Sequence, residues 1–255
     1  MTQYFDTHAH YDSGKFNADR DEVLRAVHDS GVALVVDPGD SGVTSERAVA
    51  LAQAHDFVYA AVGWHPEEAD SWTDSSLAHI RALAAQPKVC AIGEIGLDYY
   101  WDASTKAKQE RMFRAQLELA LELDLPVIVH DREAHGDSLR IVCDYPQLRG
   151  VFHCYSGSVE MARELLALGW YLGFDGPVTY KNARKTVEVA EIVPLDRILI
   201  ETDSPYMSPV PLRGKRNDSR NVYYIAEKLA QIKGMTTEEL ARLTIENGKS
   251  LFGIQ

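Results

Sequence analysis

No stretch of this sequence stays apolar for the roughly 18–20 residues that a bilayer-spanning helix needs, so no transmembrane helix is expected. The N-terminus, Met1-Thr2-Gln3-Tyr4, has neither the basic lead nor the apolar core of a secretory leader, and no signal peptide is expected. Cysteine is scarce. Cys90, Cys143 and Cys154 are odd in number, far apart and form no C-x-x-C pair, which fits reduced, mostly buried thiols in a cytoplasmic protein. Positive charge is also short: 26 Lys and Arg stand against 38 Asp and Glu, a net charge of −12. A protein that binds nucleic acid through a broad basic surface would not carry that balance. A phosphate-bearing substrate would have to meet local positive charge, from metal ions or a small basic patch. Also missing are a clear internal repeat, a low-complexity tract, a linker long enough to divide domains and a heptad pattern. No membrane association and no obligate protein partner is expected.

What is present is alternation. With 45% hydrophobic and 25% charged residues the chain is globular in composition. Eight short apolar runs read as strands: Tyr4–His8, Val32–Asp37, Phe57–Gly63, Val89–Gly96, Leu125–His130, Val151–His153, Trp170–Phe174 and Arg197–Asp203. They are continuous and rich in β-branched residues, as parallel strands covered on both faces should be. Amphipathic segments lie between them: Asp19–Ser30, Thr44–His55, Ser75–Ala85, Thr105–Leu123, Ala134–Asp144, Val159–Leu168 and Lys181–Ile192, then Ser219–Lys233 and Thr236–Leu251. In the longest, Phe113, Leu117, Ala120 and Leu121 recur at helical spacing and read as packing residues. Strands alternating with helices over 255 residues predict an α/β fold, a single-domain (β/α)8 TIM barrel spanning 1–255. The open doubly wound alternative usually carries a glycine-rich first turn, and Ala9-His10-Tyr11-Asp12 is not one.

In such a barrel the C-terminal strand ends converge on one face. His8 and His10 stand at the end of the first, two residues apart, so both imidazoles can face one point. Later ends supply His65, Glu94 and Asp98, then His130, Asp131 and Arg132, then His153, and finally Glu201 and Asp203. His28, His55 and His79 fall on helices and read as surface or packing residues. Glu94, Glu201 and Asp203 would repel one another in a common mouth without cations. Six ligands, His8, His10, Glu94, His130, His153 and Asp203, suit two divalent ions about 3.5–4 Å apart, with Glu94 bridging them. Glu201 lies one layer deeper. It reads as a hydrogen-bond partner of a ligand histidine or as half of a buried pair with an arginine.

Several segments carry a further signal: Asp6-Thr7-His8-Ala9-His10, Gly63-Trp64-His65-Pro66, Gly93-Glu94-Ile95-Gly96-Leu97-Asp98-Tyr99-Tyr100, His130-Asp131-Arg132, Phe152-His153-Cys154-Tyr155-Ser156-Gly157, Glu201-Thr202-Asp203-Ser204-Pro205-Tyr206 and Pro211-Leu212-Arg213-Gly214-Lys215-Arg216-Asn217. In this order, along nearly the whole chain, they resemble the TatD family of metal-dependent deoxyribonucleases, within the amidohydrolase-like barrels. Departures such as Tyr155 and Met207 touch no proposed ligand. The resemblance implies Mg2+, Mn2+ or Zn2+. It places one ion on His8, His10, Glu94 and Asp203 and the other on Glu94, His130 and His153, with His65 and Arg132 facing the substrate phosphate or a bound water. The expected reaction is hydrolysis of DNA phosphodiesters by a water activated between two metals, with Glu94 and Asp203 catalytic and Asp203 orienting or deprotonating that water. Single strands or strand ends suit one mouth with few positive charges better than a long duplex does. Arg213, Lys215 and Arg216 form the dense basic cluster expected to contact the backbone. Trp64, Tyr99, Tyr100 and Trp101 stand where they could stack on bases or simply pack. The alternative is ester or amide hydrolysis, such as deacylation of D-aminoacyl-tRNA, since the ligand set does not discriminate between phosphorus and carbonyl carbon.

Overall fold

The computed structural model describes residues 2–101 and 103–255; Met1, part of the N-terminal reading above, lies outside them. Eight strands follow one another round one sheet in chain order: β1 (Tyr4–Asp6), β2 (Val32–Pro38), β3 (Val58–Val62), β4 (Val89–Asp98), β5 (Val127–Arg132), β6 (Gly150–Phe152), β7 (Tyr171–Phe174) and β8 (Ile198–Ile200). Each pairs in parallel with the next. The helices between them are α1 (Arg20–Asp29), α2 (Gly42–Ala54), α3 (Asp74–Ala84), α4 (Lys106–Leu123), α5 (His135–Cys143), α6 (Val159–Ala167) and α7 (Arg184–Ile192). After β8 come α8 (Val222–Lys233) and α9 (Thr237–Phe252). This is the (β/α)8 barrel that the alternation predicts. Among the described residues no helix is long and apolar enough to cross a membrane.

The barrel closes beyond its named strands. Past β1 and β8 the chain runs on as a seam: Thr7 N–H donates to Ile200 O (3.2 Å), Asp203 N–H to His8 O (2.9 Å) and His10 N–H to Ser204 O (2.6 Å). Asp6, fully buried, clamps the same seam by accepting from the Thr202 N–H (2.9 Å) and hydroxyl (2.6 Å). Burial pushes its pKa up to about 7.

One or two residues from each strand form the floor of the barrel: Phe5, Val36, Ala61, Cys90 and Ala91, Ile128, Val151, Tyr171 and Leu199. Leu251, Phe252 and Ile254, at and just past the end of α9, join them and plug that end. Alternation then sets the site. Side chains at i and i+2 share a face, so Ile128 is followed inward by His130, Val151 by His153 and Leu199 by Glu201. The apolar floor and the polar mouth are one inward-facing row, read two residues apart.

Two expectations need correction. The thiols are not mostly buried: Cys90 is, but Cys143 is exposed and Cys154 half-buried; all three are free. The first and last strands are also shorter than the apolar runs, so His8, His10, Glu201 and Asp203 stand on irregular backbone past β1 and β8. Asp203 adopts φ +52°, which breaks strand alternation and turns it from the direction Glu201 takes.

Candidate metal centre at the barrel mouth

Glu94 is the centre of the mouth. It is nearly fully buried, and its two oxygens face different histidines. Oε2 lies 3.3 Å from His8 Nε2 and 3.5 Å from His10 Nε2. Oε1 lies 2.8 Å from His130 Nδ1, 2.7 Å from His153 Nε2 and 3.6 Å from His65 Nε2. Asp203 Oδ1 joins the first group, 3.6 Å from His10 Nε2 and 3.9 Å from His8 Nε2. The imidazole nitrogens crowd together, His8 against His10 at 3.1 Å and His130 against His153 at 3.3 Å. Two sets that could hold an ion, His8–His10–Glu94 and His65–Glu94–His130, therefore share one carboxylate. Buried nitrogens that close to one another need a cation between them or a proton on one of them. Imidazole and carboxylate donors in this mixture fit divalent ions such as Zn2+ and Mn2+. Asp203 stands beside the first set and His153 beside the second.

The charge balance fits the same need. Burial raises the Glu94 pKa, but His153, His65 and His8 outweigh it and hold the carboxyl well below its usual range. Burial lowers His10, yet Asp40, Glu94, Asp203 and Asp12 push it up to about 10. His130 reaches about 9 because Asp98 and Glu94 overcome its burial. His8 falls to about 4, chiefly through burial and then the neighbouring His153. Burial lifts Asp203 to about 6. His153 is also raised well above the usual histidine value, burial being outweighed by Glu94 and Glu201, so without metal His10, His130 and His153 together are the groups that would carry protons against these carboxylates.

Surrounding groups aim the rings. His10 Nδ1 is 3.0 Å from Pro38 O. His130 Nε2 faces Asp98 Oδ2 at 3.1 Å. His8 and His153 stack with centroids 4.0 Å apart, and His153 Nδ1 lies 3.7 Å from Glu201 Oε1. Glu201 accepts instead from Thr7 Oγ1 (3.4 Å) and the Cys154 N–H (2.5 Å), and no arginine pairs with it among the described residues. Gly173 makes room for it: a Cβ there would come within 2.5 Å of Glu201 Oε2. At Gly96, φ +145°, a Cβ would overlap His130 O, so only glycine lets β4 pass this close to β5.

Sequence reading missed two glutamines of α4. Gln109 pairs both ways with the Asp98 backbone (2.9 and 2.8 Å), and Gln116 with the Trp64 backbone (2.7 and 3.0 Å). They fix the ends of β4 and β3. The available signal was two polar residues seven apart on an apolar helix face.

The remaining sequence-derived residues divide. His65 reaches the cluster, its Nδ1 accepting from the Glu67 N–H (3.2 Å). Arg132 is exposed and lies over the Tyr100 ring at 3.9 Å. Arg213 covers the Tyr180 ring at 4.3 Å, and Lys215 is exposed beside it in the same loop. Arg216 turns away and binds Asp19 through both guanidinium nitrogens (2.9 and 2.6 Å), fastening the loop to the start of α1. Asp131, the other strand-end carboxylate there, is taken up by His135 (2.7 Å).

The chain matches the family model "TatD related DNase" over residues 5–253. It is 46% identical over 252 residues to YabD of Bacillus subtilis (strain 168), described as an uncharacterised metal-dependent hydrolase, covering 98% of this chain and 99% of that one. It is 38% identical to the 3'-5' ssDNA/RNA exonuclease TatD of Cronobacter sakazakii, covering 97% of each. Among solved structures, YjjV, a TatD homologue from Escherichia coli K12, superposes with a TM-score of 0.93 at 32% identity, covering 99% of this chain and 98% of that one. A barrel whose mouth gathers five histidines and Asp203 around one shared glutamate, matched over residues 5–253, belongs to the TatD-related DNase family and is a metal-dependent hydrolase.

Proposed function

We propose that this protein is a two-metal phosphodiesterase that trims single-stranded DNA or RNA from a 3' end. The observation that carries the reading is Glu94, whose two oxygens serve two histidine sets at once. His8, His10, Glu94 and Asp203 would hold one divalent ion and Glu94, His130 and His153 a second, and such ions would supply a lowered water pKa and charge shielding for the phosphate and the leaving oxygen. The protein's own groups do the rest. Asp203, partly open to the mouth and beside the His8–His10 set, takes the proton from the attacking water. His65 and Arg132 hold the non-bridging phosphate oxygens. Arg213 and Lys215 steady the strand beyond the mouth, while Arg216 keeps their loop in place. The polarity and the single-strand preference rest on likeness to the Cronobacter relative.

The test is cleavage of an end-labelled single strand by metal-reconstituted protein. A ladder growing from the 3' end supports the reading. No cleavage at full metal occupancy overturns it in favour of ester or amide substrates. Asp203→Asn should lower turnover about 100- to 10,000-fold while metal content, read by elemental analysis, is retained. Unchanged turnover removes Asp203 from proton transfer. Reversing charge at Arg213 and Lys215 should raise KM and make its salt dependence shallower by roughly 0.7 for each phosphate no longer neutralised. An unchanged KM and slope would take the loop out of strand binding.

A further inference from the structure

Four aromatic residues near the mouth were candidates for stacking, and two are already used. Trp64 is buried, donates from Nε1 to Ser71 Oγ (2.9 Å) and packs edge-on against Trp72. Tyr99 donates to Asp137 (3.2 Å) beneath the Lys106 ammonium. Tyr100 and Trp101 are different. They are 53% and 64% exposed, meet edge to face at 4.8 Å, and have the Arg132 guanidinium 3.9 and 5.4 Å from their rings. Two large exposed rings with a cation against them form a surface suited to a flat, electron-rich group that carries negative charge.

This surface is anchored to the metal centre through one side chain. Asp98 Oδ1 accepts from the N–H groups of Tyr100 (2.8 Å) and Trp101 (3.3 Å), while Oδ2 faces His130 Nε2 (3.1 Å). The Tyr99 N–H donates to Arg132 O (3.0 Å), so the β4 and β5 ends carry the rings and the cation as one unit. The same carboxylate thus places a metal ligand and the aromatic turn.

We infer that Tyr100, Trp101 and Arg132 form a base-stacking ledge for the unpaired nucleotide next to the scissile phosphate. The inference rests on the phosphodiesterase reading and deepens it by naming what holds the substrate's base. The rings take the face of any base, and Arg132 takes its phosphate, which gives binding without sequence preference. A base stacked between neighbours inside a duplex cannot offer that face, so the ledge selects single strands and frayed ends. In a protein of net charge −12, stacking supplies attraction that a basic groove supplies elsewhere.

The experiment uses metal-reconstituted protein and a fluorescein-labelled oligothymidylate with hydrolysis-resistant phosphorothioate links, read by anisotropy. A second strand has the same number of phosphates but abasic sugars. Wild type should bind the base-bearing strand at least tenfold more tightly than the abasic one. Trp101→Ala and Tyr100→Ala should each weaken the first about tenfold and leave the abasic strand within twofold, and Trp101→Phe should recover most of the loss. Equal losses on both strands, or none on either, overturn the ledge while strand cleavage by wild type keeps the phosphodiesterase reading standing. Wild type that binds neither strand and leaves an unmodified single strand uncut brings down both.

Discussion

Glu94→Gln should abolish the enzyme: turnover at least about a thousandfold down and metal content reduced with it. Outer partners of metal ligands already cost roughly 10–100-fold when removed, and Glu94 is more than that, because each of its oxygens serves a separate histidine set. Glutamine keeps the shape but not the chemistry. Its amide offers one acceptor, and its N–H2 would point into imidazole nitrogens arranged to meet a carboxylate or a cation. One set must lose its bridge whichever way the amide lies. Turnover and bound metal should be measured on the same preparation, with the wild type in parallel. Full metal occupancy with normal turnover would show that the histidines alone build the centre. Equal cleavage by variant and wild type at trace levels would point to a contaminating nuclease.

Stripping the metal should cost the second-largest amount, in stability rather than rate. Free metal at a thousand times its Kd stabilises by about 4 kcal/mol. For a chain of this size each kcal/mol moves Tm by roughly 2–4 °C, so a shift on the order of 8–16 °C is expected between stripped and loaded protein. The shift should also grow with pH. His10 and His130 have folded-state pKa values of about 10 and 9, above the unfolded value near 6.5. Their contribution to the metal-free protein is fully present below about pH 6.5 and is lost as pH rises through 9 to 10. Over that window the carboxylates around Glu94 lose their compensating protons, while a bound cation no longer competes with them. Thermal unfolding with and without Mn2+ or Zn2+ at pH 6.5 and pH 9 checks both points. A shift that shrinks toward pH 9 would contradict the sign, and no shift at either pH would contradict the centre.

Much of this was legible in the residues. Parallel strands buried on both faces declare themselves as short β-branched runs, and the same inward alternation that makes Ile128 and Val151 floor residues makes His130 and His153 mouth residues. The residues that meet Glu94 were readable for that reason. What escaped was what depends on distant segments meeting. Gln109 and Gln116 look like helix surface until β4 and β3 are laid against them. Asp98 read as one more strand-end carboxylate, and its double service to His130 and to the Tyr100–Trp101 turn exists only in three dimensions. Arg216 was grouped with its neighbours by composition, whereas the loop's path brings it to Asp19, 197 residues away in sequence. The left-handed backbone at Asp203 left no mark in the sequence, since nothing there announces a break in alternation.

The seam between the two ends of the barrel has a consequence for synthesis. Asp6 meets Thr202 across 196 residues, and the His8–His10 set is completed by Asp203 on the far side of that seam. The floor is sealed only by Leu251, Phe252 and Ile254. A ribosome making about 5–20 residues per second therefore carries the first histidines for at least about ten seconds before their partners emerge. Through that interval the growing chain carries the first histidines without Asp203 beside them. The mouth therefore takes its final shape only once the segment around Asp203 has joined the one around His8.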